Sequence, residues 1–313
     1  MNSILPISVL IPTMNRPDSL ERTLKKYMCA KYIPAQIVVV DQSEEKEVAD
    51  RNREVLKNVT NDIEWKYIYQ EEPSLTKARN KAMKEAKNEV VICSDDDIDV
   101  YDDTLINVYN VMNNKNISMI AGLDDNTVLS KSKIGCLLGF KSLKNIHIGH
   151  VTNSMFGKFP DKVDEETNTM WAMGFFFVIK KSLVDKWNLQ WDEKLKFYAY
   201  AEDLDFSFSY YKKSKEENYK CIMTNKVRVL HLASQEYRTP SRKHMFMYVL
   251  NRYYLSNKHH MGWKSIISMR LTNSIMVIFQ KLKGENSKDL KDAMKYLKHH
   301  NREIKNGIFY YGS

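Results

Sequence analysis

The sequence predicts an α/β protein with a mostly parallel sheet, and three observations support this fold class. Short apolar runs rich in β-branched residues alternate with helix-like segments at spacings of about 25 residues. The runs are continuous instead of alternating with polar residues, which is typical of strands buried on both faces. Hydrophobic residues make up 43% of the 313 residues, which is enough for such a core.

Local signals justify each element in order along the chain. Pro17 suits the first turn of a helix that presents Leu20, Leu24 and Tyr27 on one face. Ser74 suits the N-cap of a later helix, because its hydroxyl can accept a hydrogen bond from a free backbone amide. The predicted strands cover residues 8–11, 36–40, 65–69, 90–93, 173–179 and 227–230. The predicted helices start at 17, cover about 44–57, follow 74, cover 201–213 and fill most of the chain from 241.

The regularity of this alternation divides the chain. It is clear over residues 1–125, which we interpret as a nucleotide-binding half. Residues 126–239 are expected to complete the same domain as a second half, and residues 131–164 read as an irregular loop within it. Residues 240–313 form a separate helical extension in this prediction.

The composition excludes several classes of protein. Four cysteines lie far apart without a CxxC pair, which argues against a zinc site or a disulfide framework and favours a reducing cytoplasm. The N-terminal segment lacks a basic and then apolar stretch, so we expect no signal peptide. No apolar run approaches the ~18 residues that a membrane-spanning helix needs.

Three adjacent carboxylates, Asp95, Asp96 and Asp97, follow the apolar run at 90–93. Adjacent acids repel one another unless a cation or several donors compensate them. Ligands of open α/β sheets gather at the carboxyl ends of strands, and hard oxygen donors suit Mg²⁺, Mn²⁺ or Ca²⁺. Since alternate residues of an extended chain share a face, Asp95 and Asp97 can point to one side while Asp96 turns away. The triplet therefore predicts a metal site, with a solvated acidic turn as the alternative.

A nucleotide would have to be held here by side chains and a metal. Neither GxGxxG nor GxxxxGK[ST] occurs in the sequence, and only 10 glycines are present. A Rossmann dehydrogenase or a P-loop enzyme is therefore not expected. Asp41 ends the second predicted strand, where its carboxylate can accept from a base N–H or a ribose hydroxyl.

A second acidic cluster contains Glu202, Asp203 and Asp205 among aromatic residues. A carboxylate bordered by aromatic side chains can have a raised pKa and act as a general base. The alternative is a helix N-terminus whose acids stabilise the helix dipole. His231, at the end of a predicted strand, suits either a metal ligand or a buried structural histidine.

Five segments in register resemble the inverting glycosyltransferases of family 2 over roughly residues 6–235. The resemblance implies a GT-A fold with a Rossmann-like sheet, a nucleotide-sugar donor and a divalent cation, Mn²⁺ or Mg²⁺. Ser74 stands where the family often has glycine. The segments are SVLIPTMNR (8–16), IVVVDQS (37–43), SLTKARNKA (74–82), VICSDDD (91–97) and YAEDLDF (200–206).

The resemblance also implies roles for single residues on the donor side. Pro12, Thr13 and Arg16 match the nucleoside pocket, where Asp41 would contact the base. The residues implied near the nucleotide and its diphosphate are Arg79, Asp95 and Asp96, and those implied for the metal are Asp97 and His231.

On the acceptor side, Asp203 matches the catalytic base, and Glu202 would orient the acceptor. Gly174 matches the glycine of the acceptor-side strand, where the backbone approaches the sugar closely. Trp191 stands where the family often has phenylalanine in an FDE segment. Residues 1–239 would then be a GT-A catalytic domain with its acceptor half at 126–239.

The implied reaction is direct displacement with inversion, from a donor such as a UDP-sugar to a saccharide or lipid-linked acceptor. Bacterial surface or capsular polysaccharide synthesis is the implied setting, in the cytoplasm or at the inner face of the plasma membrane. A nucleotidyl- or phosphotransferase using the same metal site is the alternative, and it gives Asp203 no role. A nucleic-acid binder is a third class, and the aromatic residues near 253–263 lack an RNP-like arrangement that would favour it.

The extension at 240–313 is strongly basic. It carries 14 Lys and Arg against 4 Asp and Glu, a net charge of +10, so residues 1–239 carry −1 of the total +9. A helical stripe repeats along it, consisting of Ile267, Leu271, Ile275, Ile278 and Leu282. The stripe suits an anionic membrane surface, packing on the catalytic part, or a homodimer contact.

Overall fold

A computed structural model describes residues 2–60, 62–126, 147–160, 162–233 and 240–311. The strands are β1 (Ser3–Thr13), β2 (Tyr32–Asp41), β3 (Glu64–Tyr69), β4 (Val90–Ser94), β5 (Ile98–Val100), β6 (Ile117–Asp124), β7 (His150–Val151), β8 (Gly157–Lys158), β9 (Thr167–Asn168), β10 (Phe176–Lys180) and β11 (Lys220–His231). The helices are α1 (Pro17–Cys29), α2 (Lys46–Val59), α3 (Leu75–Glu85), α4 (Thr104–Met112), α5 (Lys181–Lys186), α6 (Glu202–Glu216), α7 (Ser241–Lys258), α8 (Gly262–Leu282), α9 (Lys288–His299) and α10 (Asn301–Lys305).

One mixed sheet forms the centre of the fold, in the order β3-β2-β1-β4-β10-β6-β11-β5, with β9 beside β11. The pairs β3–β2, β2–β1, β1–β4 and β6–β11 are parallel. Strand β10 runs antiparallel to both β4 and β6. The predicted α/β class with a mostly parallel sheet is confirmed. The reversed β10 brings the start of that strand to the carboxyl end of β4.

Helices cover both faces of the sheet because the strands are apolar on both sides. Side chains such as Ile7, Val9 and Ile11 of β1 pack with α1 and α4 on one face. The intervening Leu10 packs on the other face with residues of α3, α5 and α6. The apolar runs are continuous because both faces of these strands are buried, as the sequence indicated.

Helices α7 to α10 build a third core against residues that precede α6. Phe246, Leu250 and Leu255 of α7 are buried there together with Leu195 and other residues of the second half. Helix α7 is tied to the rest of the fold by ion pairs as well as by apolar contact. Lys258 Nζ lies 2.8 Å from Asp192 and 2.6 Å from Asp205, and His259 Nε2 lies 2.8 Å from Asp205. The predicted boundary at 239/240 is not tested by these contacts and stays a prediction.

The predicted apolar stripe of α8 faces solvent. Four of its members are 54% to 77% exposed: Ile267, Leu271, Ile278 and Leu282. Helix α8 buries instead Ser265, Met269, Thr272 and Asn273. Packing of the stripe on the catalytic part is therefore wrong, and its other two predicted uses stay open. Among the described residues, no helix is long and apolar enough to cross a membrane.

Two sequence expectations fall at the edge of the described residues. The irregular loop predicted over 131–164 lies largely outside them, and its described part contains the short pair β7–β8. The described cysteines Cys29, Cys93 and Cys221 are free thiols, and Cys136 lies outside the described residues.

Candidate active site

The carboxyl ends of β1, β2 and β4 meet at one edge of the sheet, as the parallel pairing requires. Asp95 follows β4, and its backbone amide donates to the carbonyl of Phe175 at 2.8 Å, just before β10. His231 reaches the same place because it ends β11 and pairs with Ile98 of β5. The topology therefore brings together residues that lie up to 136 positions apart, from Asp95 to His231.

The carboxylates Asp95, Asp96 and Asp97, called here the donor-side carboxylates, point in different directions. Asp96 is buried, accepts from Thr13 Oγ1 at 2.6 Å and lies 3.1 Å from Arg16 Nη1. Asp97 is also buried and lies 3.2 Å from His231 Nε2. Asp95 is partly exposed and bonds with Arg79 Nη2 at 3.1 Å. The middle residue thus holds the β1–α1 loop, while Asp95 bonds with Arg79 and Asp97 with His231.

Asp95, Asp97 and His231 form a group that could hold a metal ion. Each offers one ligand atom, and these atoms all lie within 4.8 Å of one another. Two carboxylate oxygens and an imidazole nitrogen are ligand atoms that suit Mn²⁺ and can also bind Mg²⁺. The residues present therefore fit a divalent cation at this edge of the sheet.

Burial and neighbouring charges shift the pKa values of two donor-side carboxylates and of His231. Burial raises the pKa of Asp95, and the Arg79 charge opposes that rise. Burial also raises the pKa of Asp96 to about 7, against the charge of Arg16 and the hydrogen bond from Thr13. For His231 burial lowers the pKa, but Asp97 and Asp95 outweigh burial, so its pKa is raised. Neighbouring negative charge thus favours a cation here.

Glu202 and Asp203, called here the acceptor-side carboxylates, start helix α6. The Asp203 carboxylate accepts from the Gly174 amide at 2.9 Å and from the Leu204 amide at 2.8 Å. These two bonds fix the carboxylate and favour its ionised form. Burial nevertheless raises the pKa of Asp203, and the Gly174 amide opposes that rise. An oriented carboxylate with a raised pKa suits a general base.

Arg79 of α3 connects the two groups of carboxylates. Its side chain is 3% exposed, and its guanidinium lies 3.1 Å from Asp95 and 3.1 Å from Glu202. It also donates to the carbonyl of Gly174 at 3.1 Å. Burial raises the pKa of Glu202 to about 8, against the charge of Arg79. One buried cation therefore holds both sides of the site at fixed positions.

Gly174 is required by the close approach of these side chains. A Cβ at this position would lie 3.0 Å from Arg79 Nη2, 3.3 Å from Asp203 Cβ and 3.3 Å from Glu202 Oε1. A side chain here would require Arg79 or the acceptor-side carboxylates to shift by a few tenths of an ångström. The glycine thus allows β10 to begin directly beside them.

Three residues assigned from the sequence are buried: Asp41, Trp191 and Pro12. Asp41 is fully buried and accepts hydrogen bonds from Ser43, Asn52 and Tyr67 within 2.9 Å. Trp191 is 2% exposed and stacks on Phe206 with ring centroids 3.7 Å apart. Pro12 is buried in β1, where it pairs with Val40 of β2. Contact of Asp41 with a base and of Trp191 with an acceptor therefore stay predictions.

The sequence reasoning missed the polar residues that shape the loops of this edge. Asn15 has a positive φ of 54°, its amide donates to Ser43 Oγ at 2.9 Å, and its side chain accepts from the Glu44 amide at 3.1 Å. Asparagine tolerates this left-handed conformation better than most residues. An asparagine two residues after a strand was the signal that could have revealed this turn.

Comparisons with known proteins place this site in context. A model of glycosyl transferase family 2 matches residues 8–187, more than half of the chain. No curated protein is significantly similar in sequence.

Solved structures give the same answer for the fold. A mannosyltransferase, PcManGT from Pyrobaculum calidifontis, solved with GDP-Man and Mn²⁺, is 13% identical, with a TM-score of 0.55 over 95% of this chain and 79% of that one. GalNAc-T7, solved with UDP, GalNAc and Mn²⁺, is 17% identical, with a TM-score of 0.56 over 95% of this chain and 57% of that one. The GT-A prediction for the fold is confirmed by this likeness.

Proposed function

This chain belongs to glycosyl transferase family 2, and we propose that it transfers a sugar with inversion from a nucleotide-diphosphate donor, a UDP-sugar by preference. The acceptor in this proposal is a saccharide or a lipid-linked saccharide. The observation that carries it is the connection made by Arg79, which binds Asp95 and Glu202 at once. A metal-capable group and an oriented base therefore share one cleft.

Asp203 is the general base of this proposal. Its carboxylate is held by two backbone amides, so it can accept the proton of an acceptor hydroxyl without first reorienting. The deprotonated oxygen attacks the anomeric carbon while the bond to the nucleoside diphosphate breaks on the opposite face. The configuration inverts, and no covalent enzyme intermediate forms. General base catalysis of this kind supplies roughly 10²–10⁴-fold in rate.

The donor-side residues bind and orient the leaving group. A divalent cation, when bound by Asp95, Asp97 and His231, would neutralise charge that develops on the diphosphate. Arg16 is partly exposed and sits beside Asp96 and Asp97, where its guanidinium can contact phosphate oxygens. Glu202, which is buried against Arg79, orients the acceptor side in this proposal.

A donor screen tests the proposal. Purified protein is incubated with Mn²⁺ and a panel of UDP-, GDP- and dTDP-sugars, with and without saccharide acceptors. We expect nucleoside diphosphate to be released from one donor class, and release to stop when the cation is chelated. Release of pyrophosphate or of a phosphorylated acceptor would instead support the nucleotidyl- or phosphotransferase alternative and overturn this proposal.

We place the enzyme in the cytoplasm at the inner face of the plasma membrane, in synthesis of a bacterial surface or capsular polysaccharide. The support is the exposed stripe of α8, which carries Lys264, Arg270 and Lys281 and no acidic residue. Trp263, 68% exposed, begins the same helix. An apolar face with cations around it suits an anionic lipid surface. Two copies of this face would bring like charges together, which disfavours a dimer through it.

Vesicle co-sedimentation tests this location. The triple variant Ile267→Ser, Leu271→Ser, Ile278→Ser should lose binding to vesicles that contain phosphatidylglycerol. Ile4→Ser is the matched control, because Ile4 is as exposed as Ile267, at 54%. Equal binding of wild type and triple variant would contradict the membrane proposal. A wild-type dimer that the triple variant fails to form would assign the stripe to a second copy.

A further inference from the structure

The segment that precedes α6 has an unusual backbone. Phe197, Ala199 and Ala201 have positive φ values of 59°, 51° and 67°, and none of them is glycine. The left-handed region costs an L-residue roughly 1–2 kcal/mol. Such strain persists only where the surrounding structure holds it, and it is concentrated at functional sites. The segment 196–201 therefore has a backbone conformation that a simple link between two elements would not need.

Backbone hydrogen bonds hold this segment from both sides. The Leu75 amide of α3 donates to the carbonyl of Phe197 at 3.0 Å, and the Glu202 amide donates to the carbonyl of Ala199 at 2.9 Å. Asn251 of α7 donates to the carbonyl of Tyr200 at 2.9 Å. Three helices thus fix the segment, which makes it a rigid part of the cleft.

The strained backbone turns aromatic side chains toward solvent. Tyr198 is 56% exposed and Phe197 is 40% exposed, although Ala199 between the strained positions is fully buried. Lys243 Nζ covers the Phe197 ring at 3.3 Å from its centroid. Tyr200, by contrast, is only partly exposed and packs against Tyr248 with ring centroids 5.5 Å apart. Tyr198 is therefore the ring of this segment with the most surface to offer.

Tyr198 also lies close to the candidate active site. It stands four residues before Glu202, and both of its chain neighbours bond to elements of the site. The Glu202 amide donates to the carbonyl of Ala199, and α3, which carries Arg79, donates from Leu75 to the carbonyl of Phe197. Burial raises the pKa of Tyr198 to about 12, and the charges of Asp95 and Asp203 act in the same direction.

We propose that the rigid segment 196–201 is a binding platform for the acceptor saccharide, with the Tyr198 ring packed against the apolar face of a sugar. The proposal rests on the proposed glycosyl transfer. Pyranose rings present C–H groups on one face and hydroxyls at their edge, which match an aromatic ring with a polar end. A ring on a rigid segment loses little conformational freedom on binding, so its contact is preorganised.

Steady-state kinetics with methyl glycosides of glucose, galactose, mannose and N-acetylglucosamine test the platform. Tyr198→Ala should raise the acceptor KM about tenfold, the effect of ~1.4 kcal/mol. Tyr198→Phe, which keeps the ring, should stay within about threefold of wild type. Hydrolysis of the donor without acceptor is measured in each variant, to separate a loss of acceptor binding from a loss of the folded donor side. Tyr101→Ala is the matched control, because Tyr101 is another exposed tyrosine, at 41%, and its hydroxyl donates to Asp125.

Saturation-transfer NMR on the same glycosides gives a readout that does not require turnover. Wild type should transfer saturation to the sugar protons, and Tyr198→Ala should lose most of it. An acceptor KM within twofold of wild type in Tyr198→Ala would overturn the platform, as would a wild type that neither binds nor glycosylates any of the glycosides. A failure of the proposed function is distinguishable, because then wild type hydrolyses no nucleotide sugar at all.

Discussion

The donor-side and acceptor-side carboxylates lie on two sides of the Arg79 guanidinium, called here its two ends, yet their surroundings differ. Asp95 and Asp97 share their side of the cleft with an imidazole that can join them in holding a cation. Asp203 has only backbone amides as hydrogen-bond donors among its described contacts. The charges of Asp95 and Asp97 thus lie beside cations, whereas the Asp203 carboxylate is held by the fixed dipoles of two amides.

This difference separates two chemical tasks. On the donor side, a metal ion held by carboxylates can in turn bind an anionic ligand such as a diphosphate. On the acceptor side, two amides orient the Asp203 carboxylate, and its remaining lone pairs can accept a proton. The same residue type therefore serves ligand binding at one end of Arg79 and proton transfer at the other.

The largest effect on turnover is expected from Asp203→Asn. The amide cannot accept the acceptor proton, so kcat should fall about 10³-fold, within the range of general base catalysis. Binding of UDP with Mn²⁺, measured by isothermal titration, should stay within about twofold because the donor-side carboxylates are untouched. Asp185→Asn, in an exposed ion pair with Lys181, is the control and should change neither. A large loss of UDP affinity in Asp203→Asn would show that the two ends are not separable.

Arg79→Met should damage both ends together. It leaves Glu202 and Asp95 without their shared partner, and loss of one member of a buried ion pair costs about 3–5 kcal/mol of unfolding free energy. Urea unfolding measures this cost, and Arg22→Met is the control. Arg22 pairs with Asp99 but is 52% exposed, so that change should cost less than about 1 kcal/mol. Equal costs for the two variants would argue against Arg79 as the connection.

Asp97→Asn should act at the donor side alone. Loss of one anionic ligand should weaken Mn²⁺ binding about 10- to 100-fold, as measured by electron paramagnetic resonance of free Mn²⁺. Asp99→Asn is the control, because Asp99 lies two residues away and pairs with Arg22 instead. Unchanged affinity in Asp97→Asn would remove this residue from the metal site.

Glu202→Gln should change how stability depends on pH. The folded-state pKa of Glu202, about 8, lies above its ordinary value of 4.5, so the folded protein binds more protons than the unfolded chain between these values. The free energy of unfolding contributed by Glu202 therefore falls as pH rises from about 4.5 to about 8. Relative to wild type, the glutamine variant should gain stability over this range in urea titrations at pH 5 and pH 8. The same change in unfolding free energy between pH 5 and pH 8 in wild type and variant would contradict a raised pKa of Glu202 in the folded protein.

The smallest effect is expected from Thr13→Val. It removes the hydroxyl that donates to Asp96 at 2.6 Å, a hydrogen bond to a charged group worth about 1.5–3 kcal/mol at most. UDP affinity should fall a few-fold because Arg16 then loses part of its fixed position, while kcat stays near wild type. Thr13→Ser should restore the affinity measured by titration. Full loss of turnover in Thr13→Val would instead place Thr13 in the chemistry.

Much of the fold could be predicted because the strands are buried on both faces and therefore leave continuous apolar runs. The direction of β10 could not, since a run such as 173–179 reads the same in a parallel or an antiparallel pair. The exposed face of α8 was also beyond the sequence. A helical apolar stripe predicts an apolar face, but not what that face contacts.

The candidate site was less accessible to sequence reasoning than the fold. Motif resemblance indicated Asp203 and His231, but their distances depend on the sheet order, which places β10 between β4 and β6. The four hydrogen bonds that Asp41 accepts come from residues spread over 24 positions, and no local pattern joins them. In the sequence Tyr198 is only one of several aromatic residues near Glu202. Its exposure could not be predicted, because it depends on the positive φ angles of its neighbours Phe197 and Ala199.

The contacts of α7 and His259 with α6 have a consequence for biosynthesis. Asp205 lies two residues after Asp203 with its carboxylate buried, and its partners Lys258 and His259 are more than 50 residues later in the chain. Tyr311 closes the same region by donating to Asn251 at 2.9 Å. On the ribosome, the nascent enzyme therefore cannot complete the surroundings of its base until nearly all of this sequence has been translated. Premature termination between His231 and Tyr311 should yield a chain that contains every assigned residue and still lacks a finished site.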